Sequence, residues 1–341
     1  MERADLDFAH LPFAYHRTDA NIRYRFRDGT WSEGELTSDE TLTLHMAATC
    51  LHYGQEVFEG LKVFERPDGR LQTFRLEENA KRLQRSARKL LMEPVPVDLF
   101  REAVHRVVRA NRRFVPPYGT GASLYVRPLL LGVGPEIGVK PSREYLFIVF
   151  VTPVGPYYKA GFEPVRLIVE EEIDRAAPGG VGDIKCGGNY AAGLRATTAA
   201  KEKGFSEVLY LDAREKRYID ESGSSNFYAI RNGTYITPAS PSILPSITNM
   251  SVQQIARDMG LNVEARPVSV DELPTFEEAG CLGTAAVITP VESVTYRGRE
   301  YVYGERGKAG PVTTELYKRL TAIQWGESQD PYGWTEIIPD T

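Results

Sequence analysis

The sequence predicts two α+β domains joined by a short irregular segment, and three observations predict it. The 341 residues suffice for two domains of ordinary size, each with its own core. In the first half, runs with the two-residue apolar period of strands alternate with runs of helical period. Residues 152–164 then contain three prolines and two glycines, which deny them regular pairing, and beyond them strands predominate. The expected division is a smaller N-terminal domain, 1–157, a linker, 158–170, and a larger C-terminal domain, 171–341.

Residues 22–26 and 31–36 flank Arg27-Asp28-Gly29-Thr30, a hairpin signal, and 57–65 and 71–74 flank the turn Arg66-Pro67-Asp68-Gly69. From Leu76 the period changes. Leu76, Ala80, Leu83, Ala87 and Leu90 make one helical face, which Pro94 ends. A second helix starts near Asp98 and buries Leu99, Ala103, Val107 and Ala110. Strands at 122–131 and 145–151 complete a sheet. In the second half, 166–169, 207–211, 226–231 and 234–237 read as strands. Helices over 189–203 and 247–259 stop at Gly204 and Gly260, and a last helix spans about 312–324.

Composition excludes several classes of function. Hydrophobic residues at 42% and charged residues at 26% are those of a soluble globular protein. A net charge of −5 offers nothing to nucleic acid or to an anionic membrane. The N-terminal residues lack the basic and apolar regions of a secretory signal, and the longest apolar run, 145–151, is too short to span a bilayer. Cys50, Cys186 and Cys281 form neither a CxxC pair nor a disulfide framework. A cytoplasmic protein without a metal site is expected.

The chemistry concentrates in Gly179-Gly-Val-Gly-Asp-Ile-Lys-Cys-Gly-Gly-Asn-Tyr190, one lysine among five glycines. Glycines let a backbone approach a bulky ligand closely, and a lysine with a shiftable pKa suits Schiff-base chemistry. A solvated loop lysine is the plain alternative. Tyr190 falls in the first turn of the following helix. Glu221 stands between a strand and a turn of small residues, where a carboxylate can hold a cofactor ring nitrogen protonated or merely cap nearby N–H groups. Residues 242–251 run from a turn into a helix, so Ile247 and Thr248 mark an anion site or an ordinary N-cap. Gly283-Thr284-Ala285 offers backbone donors, and Arg75 stands where a strand meets a helix. Tyr53 and Phe58 lie near two glycines. Tyr125 and Arg127 share one strand face by the two-residue period, where the arginine can grip a carboxylate or form a surface ion pair.

In this order and approximate spacing, the segments resemble the branched-chain amino acid aminotransferases, of the class IV (fold type IV) pyridoxal-phosphate enzymes. The likeness runs from His52-Tyr-Gly-Gln-Glu-Val-Phe-Glu-Gly60 to Gly283-Thr-Ala285, nearly the whole chain. It implies the two-domain D-amino-acid-aminotransferase-like fold, with its active site at the domain junction, and transamination of L-leucine, L-isoleucine and L-valine with 2-oxoglutarate. By the resemblance, Lys185 carries pyridoxal 5'-phosphate as an internal aldimine and then shuttles the proton. Glu221 pairs with the pyridine nitrogen and Tyr190 with the phenolic oxygen. Arg75, Ile247, Thr248 and Thr284 hold the phosphate. Tyr53, Phe58, Tyr125, Arg127, Tyr157 and Ala285 line the substrate pocket, with Arg127 serving the second carboxylate of glutamate. The resemblance also implies a homodimer in which the Tyr53 and Val139 regions reach the neighbouring site.

Some positions depart from the family. Asn249 stands where an arginine is frequent, and Ala286 and Thr289 replace the CxxC pair of mammalian members. Ser224 and Glu207 occupy places that vary. A D-amino-acid aminotransferase, an aminodeoxychorismate lyase or a non-catalytic carrier of the cofactor also needs Lys185 and Glu221. Arg127 argues against all three, and the Tyr157 segment against the first two.

Overall fold

The computed structural model describes residues 2–155 and 162–340. The chain divides into two compact units: residues 1–157, 184–187 and 322–341 form the first, and 158–183 and 188–321 the second. The segment 322–341, expected with the second domain, belongs to the first because Thr335–Ile337 hydrogen-bonds to Leu71–Phe74 and Ile338 lies in its core. The expected linker contains a strand, Val165–Glu170, paired on both sides within the second unit.

The first unit holds a nine-stranded antiparallel sheet among the described residues. Its main path runs Thr335–Ile337, Leu71–Phe74, Leu61–Glu65, Ser123–Gly132, Tyr145–Val154, Asn21–Arg27 and Thr30–Trp31. Helices Leu76–Lys89 and Val97–Ala110 contribute to its core. The first buries the expected stripe Leu76, Ala80, Leu83 and Ala87. The second buries Phe100, Ala103, Val104, Val107 and Val108, about one residue round from the expected face, leaving Leu99 and Ala110 at its margin. A fully buried Phe100 contributes about 1.5–3 kcal/mol by leaving water.

The run expected as one strand over 57–65 is two, Glu56–Phe58 and Leu61–Glu65. The break lies at Glu59-Gly60. Glu59 turns its carboxylate onto the buried Arg82, and a Cβ on Gly60 would lie 2.0 Å from the Tyr125 hydroxyl. Only glycine fits there.

In the second unit six strands form a closed ring. The path runs Ile219–Ser222, Glu207–Leu211, Val165–Glu170, Val287–Tyr296, Glu278–Gly283 and Ser225–Arg231, and the last pairs back onto the first. Closure leaves these six strands no open edge. Leu167, Leu209, Ile219, Phe227, Cys281 and Val291 belong to one buried cluster. Asn262–Arg266 extends the sheet beyond the ring; its mixed polar pattern gives no apolar face, so the sequence offers no strand signal there. Among the described residues no helix is long and apolar enough to cross a membrane.

Candidate active site

Lys185 lies in the short stretch 184–187 of the first unit. Ile184 and Cys186 are both buried in that unit's core, which pins the backbone on either side of the lysine. The Lys185 N–H donates to Ser86 Oγ at 3.2 Å, and its carbonyl accepts the Phe58 N–H at 3.0 Å. Its Nζ stands 4.7 Å from the centre of the Phe58 ring. Burial, aided by the charges of Arg82 and Arg127, pulls the ammonium down to about 8, with Glu59 and Tyr125 opposing. Near pH 8 about half of such an amine is neutral and able to accept a proton.

Tyr125 and Arg127 share one face of Ser123–Gly132, as their spacing predicts. The Arg127 guanidinium carbon lies 4.9 Å from the Phe58 ring centre and 5.2 Å from that of Tyr125. Its Nη2 donates to the Tyr125 hydroxyl at 3.2 Å. Its buried Nε has no hydrogen-bond partner, and no carboxylate pairs with it among the described residues. A guanidinium fenced by aromatic rings without a counter-charge is costly, and a bound carboxylate would relieve that cost. Phe58, Tyr125, Arg127 and Lys185 therefore form one cluster.

Tyr53 is 38% exposed, with its hydroxyl on the Ile137 carbonyl, and makes no hydrogen bond or ring contact with that cluster among the described residues. Tyr157 lies outside the described residues. Arg75 caps helix Leu76–Lys89 in a left-handed conformation, φ 52°, and burial lowers its pKa.

The second unit carries the remaining candidates. Glu221, on the strand that closes the ring, is buried. Its Oε1 accepts the Leu244 N–H at 2.5 Å and Asn226 Nδ2 at 3.3 Å, and Arg175 Nη1 lies 3.7 Å from Oε2. Arg175 itself donates to the carbonyls of Ser242 and Gly182. Asn226 is held in turn: Asn249 Nδ2 donates to its Oδ1 at 3.0 Å, and the Tyr235 hydroxyl donates to Asn249 Oδ1 at 2.8 Å. Ser246 caps helix Ile247–Asp258 by accepting the Asn249 N–H, which places Ile247 and Thr248 in the helix's first turn. Thr284 and Ala285 lie in the turn after Glu278–Gly283, whose Leu282 pairs with Asn226. Tyr190 is half-buried in the first turn of Gly187–Glu202.

Residues 56–294 match the family model described as amino-transferase class IV. The chain belongs to the class IV aminotransferases. It is 46% identical to the branched-chain-amino-acid aminotransferase of Haemophilus influenzae over 97% of this chain and 98% of that one. To the Helicobacter pylori enzyme of the same name it is 45% identical, over 97% of each. Among solved structures, the Escherichia coli branched-chain amino acid aminotransferase superposes with a TM-score of 0.80 at 28% identity, covering 94% of this chain and 100% of that one. A T.th. branched-chain amino acid aminotransferase complexed with N-(5'-phosphopyridoxyl)-L-glutamate gives a TM-score of 0.76 at 28% identity, covering 94% and 100%. The fold is thus the α+β fold of type IV.

Sequence reasoning missed several residues of this class IV chain. Glu59 sits within a recognised motif but received no role; it binds Arg82 at 2.6 and 2.8 Å and Asn79 at 2.7 Å. Arg175 was silent, because an arginine in a loop carries no positional signal. Asn249 stood out only as a missing arginine. The structure makes it the hinge of the hydrogen-bond chain from Tyr235 to Glu221.

Proposed function

We propose that this chain transfers amino groups from L-leucine, L-isoleucine and L-valine to 2-oxoglutarate, yielding branched-chain 2-oxo acids and L-glutamate, with pyridoxal 5'-phosphate as cofactor. One observation carries the reading: the Arg127 guanidinium, which no carboxylate pairs among the described residues, lies over the apolar ring of Phe58, the same ring that meets Lys185 Nζ. Apolar walls accept a branched side chain, and the guanidinium accepts the second carboxylate of glutamate. The named activities of the similar proteins support it.

The residues present suit the cofactor by their chemistry: a half-buried lysine of lowered pKa, a buried carboxylate, and a helix start with a hydroxyl. Lys185 would hold it through Nζ, Glu221 would pair with its ring nitrogen, and Tyr190 with its phenolic oxygen. Arg75, Ile247, Thr248 and Thr284 would hold its phosphate. When bound, the cofactor supplies an electron sink that makes the substrate α-proton removable. Once the substrate amine has displaced it, Lys185 Nζ would be a neutral amine positioned to accept that proton. Phe58, Tyr125 and Ala285 shape the pocket and keep water from the transfer. Arg175 and the Asn226–Asn249 pair fix Glu221 in place.

The reading is tested by steady-state assay of the three branched-chain amino acids with 2-oxoglutarate, with D-alanine as the comparison donor. Turnover of the L-amino acids alone is expected; turnover of D-alanine alone would favour a D-amino-acid aminotransferase. Within it, Glu221→Gln retains bound cofactor but lowers kcat roughly 100-fold, about 2.7 kcal/mol of barrier, because a neutral amide no longer holds the ring nitrogen protonated. Near-normal kcat with full cofactor content would remove Glu221 from this role.

A homodimer in the cytoplasm completes the proposal. Tyr53, 38% exposed, and Ile137 and Val139, both 84% exposed, support it as a surface suited to a second copy, and three free cysteines suit a reducing compartment. Sedimentation is expected to give a dimer or a multiple of it. A fully active monomer at micromolar concentration contradicts the assignment.

A further inference from the structure

Arg75 is a non-glycine residue in the left-handed region, φ 52° and ψ 39°, a conformation that persists only where the surroundings impose it. The C-terminal segment imposes it. The Arg75 N–H donates to the Trp334 carbonyl at 2.6 Å, one step beyond the pairing of Thr335 with Phe74. The Arg75 guanidinium carbon lies over the Trp334 ring, 5.1 Å from its centre. Trp334 is fixed from two other sides. It stacks on Tyr332 at 4.0 Å and 23°, and Phe74 meets it edge-on at 5.7 Å. The turn beneath is tied by Asp330, whose carboxylate accepts the N–H groups of Tyr332 at 3.1 Å and Thr335 at 2.7 Å and the Thr335 hydroxyl at 2.9 Å. All these residues belong to the first unit.

From this geometry we infer that Trp334 is a positioning residue for Arg75, and that the C-terminal segment 330–337 sets the cofactor-phosphate grip of the enzyme. The inference rests on the reading of Arg75 as a phosphate partner. The physical reason lies in the kind of contact. A carboxylate would order the guanidinium by neutralising it and engaging the N–H groups a phosphate needs. An indole face orders the same plane through its quadrupole and itself engages none of those N–H groups, while Glu78 supplies the opposite charge that acts on Arg75. The backbone bond to Trp334 fixes where the side chain departs, and the ring fixes where it ends.

The test titrates apoenzyme with pyridoxal 5'-phosphate and, separately, with pyridoxal, which lacks the phosphate, reading Kd by absorbance and tryptophan-independent fluorescence of the ligand. Arg75→Met weakens pyridoxal phosphate strongly and pyridoxal hardly at all. Trp334→Leu weakens pyridoxal phosphate roughly ten-fold, about 1.4 kcal/mol, and leaves pyridoxal within about two-fold. Trp334→Phe restores most of the loss, and Trp334→Leu adds nothing in the Arg75→Met background. Asp330→Asn, which loosens the turn while keeping the ring, gives a smaller loss of the same phosphate-dependent kind and serves if Trp334→Leu does not fold. Equal weakening of both ligands by Trp334→Leu and Asp330→Asn, or full additivity with Arg75→Met, overturns the positioning role while leaving Arg75 on the phosphate. An Arg75→Met variant that treats both ligands alike overturns the underlying reading of Arg75 instead.

Discussion

Replacing Lys185 with alanine is expected to remove transamination, with a loss of more than about 10⁴-fold, because in the proposed mechanism one nitrogen serves as both covalent anchor and proton carrier. The fold survives, since the backbone bonds to Ser86 and Phe58 and the buried neighbours Ile184 and Cys186 are kept. The stability effect runs in the opposite direction. Between about 8 and the ordinary value of 10.5, the unfolded chain holds a proton on Lys185 that the folded chain has released. Stability of the cofactor-free protein therefore rises with pH across that window. Below it the half-buried ammonium is charged in both states and its full desolvation penalty is present. Lys185→Met then stabilises the cofactor-free protein at pH 7 by about 1–3 kcal/mol, and the gain shrinks toward zero as pH approaches 10.5. Urea unfolding of both proteins at pH 7 and pH 10 checks the sign. A gain that ignores pH would mean the methionine merely packs better, and a borohydride-trappable cofactor–lysine bond in the alanine variant would move the anchor elsewhere.

In the proposed pocket, Arg127→Met is expected to separate the two substrates. Glutamate loses a charge-assisted, partly buried grip worth on the order of 2–4 kcal/mol, so its half-reaction slows by roughly 30- to 1000-fold. Leucine presents only carbon to the same wall, and methionine fills the space over Phe58 without a charge. Its half-reaction falls far less. The guanidinium also braces the Tyr125 hydroxyl at 3.2 Å, so a small common loss is expected for both substrates. Equal large losses would show that Arg127 orders the strand and does not read the second carboxylate.

Local pattern made part of this molecule legible. The helix Leu76–Lys89 announces itself through a stripe at three- and four-residue spacing, and Tyr125 and Arg127 share a face because strands alternate. Lys185 stood out because glycines on both sides leave it without competing side chains. What escaped depends on residues far apart in the chain. Glu59 meets Arg82 only after a strand breaks at Glu59-Gly60 and a helix packs beside it, and the Tyr125 hydroxyl leaves room there only for glycine. The return of residues 322–341 to the first unit rests on a three-residue strand too short to carry a period. Ring closure through Ile219–Ser222, which fixes Glu221, is a pairing of strand ends that no single segment encodes. Asn249 looked like a missing cation and is instead a buried amide bonded on both sides.

The most direct test of the central claim is a single-turnover measurement on holoenzyme in a stopped-flow spectrometer, with each substrate added alone. L-Leucine without any acceptor should bleach the cofactor's visible band in one exponential phase, and 2-oxoglutarate added afterwards should restore it while one equivalent of L-glutamate appears. A band that L-leucine leaves untouched, or that only a D-amino acid bleaches, would contradict the account.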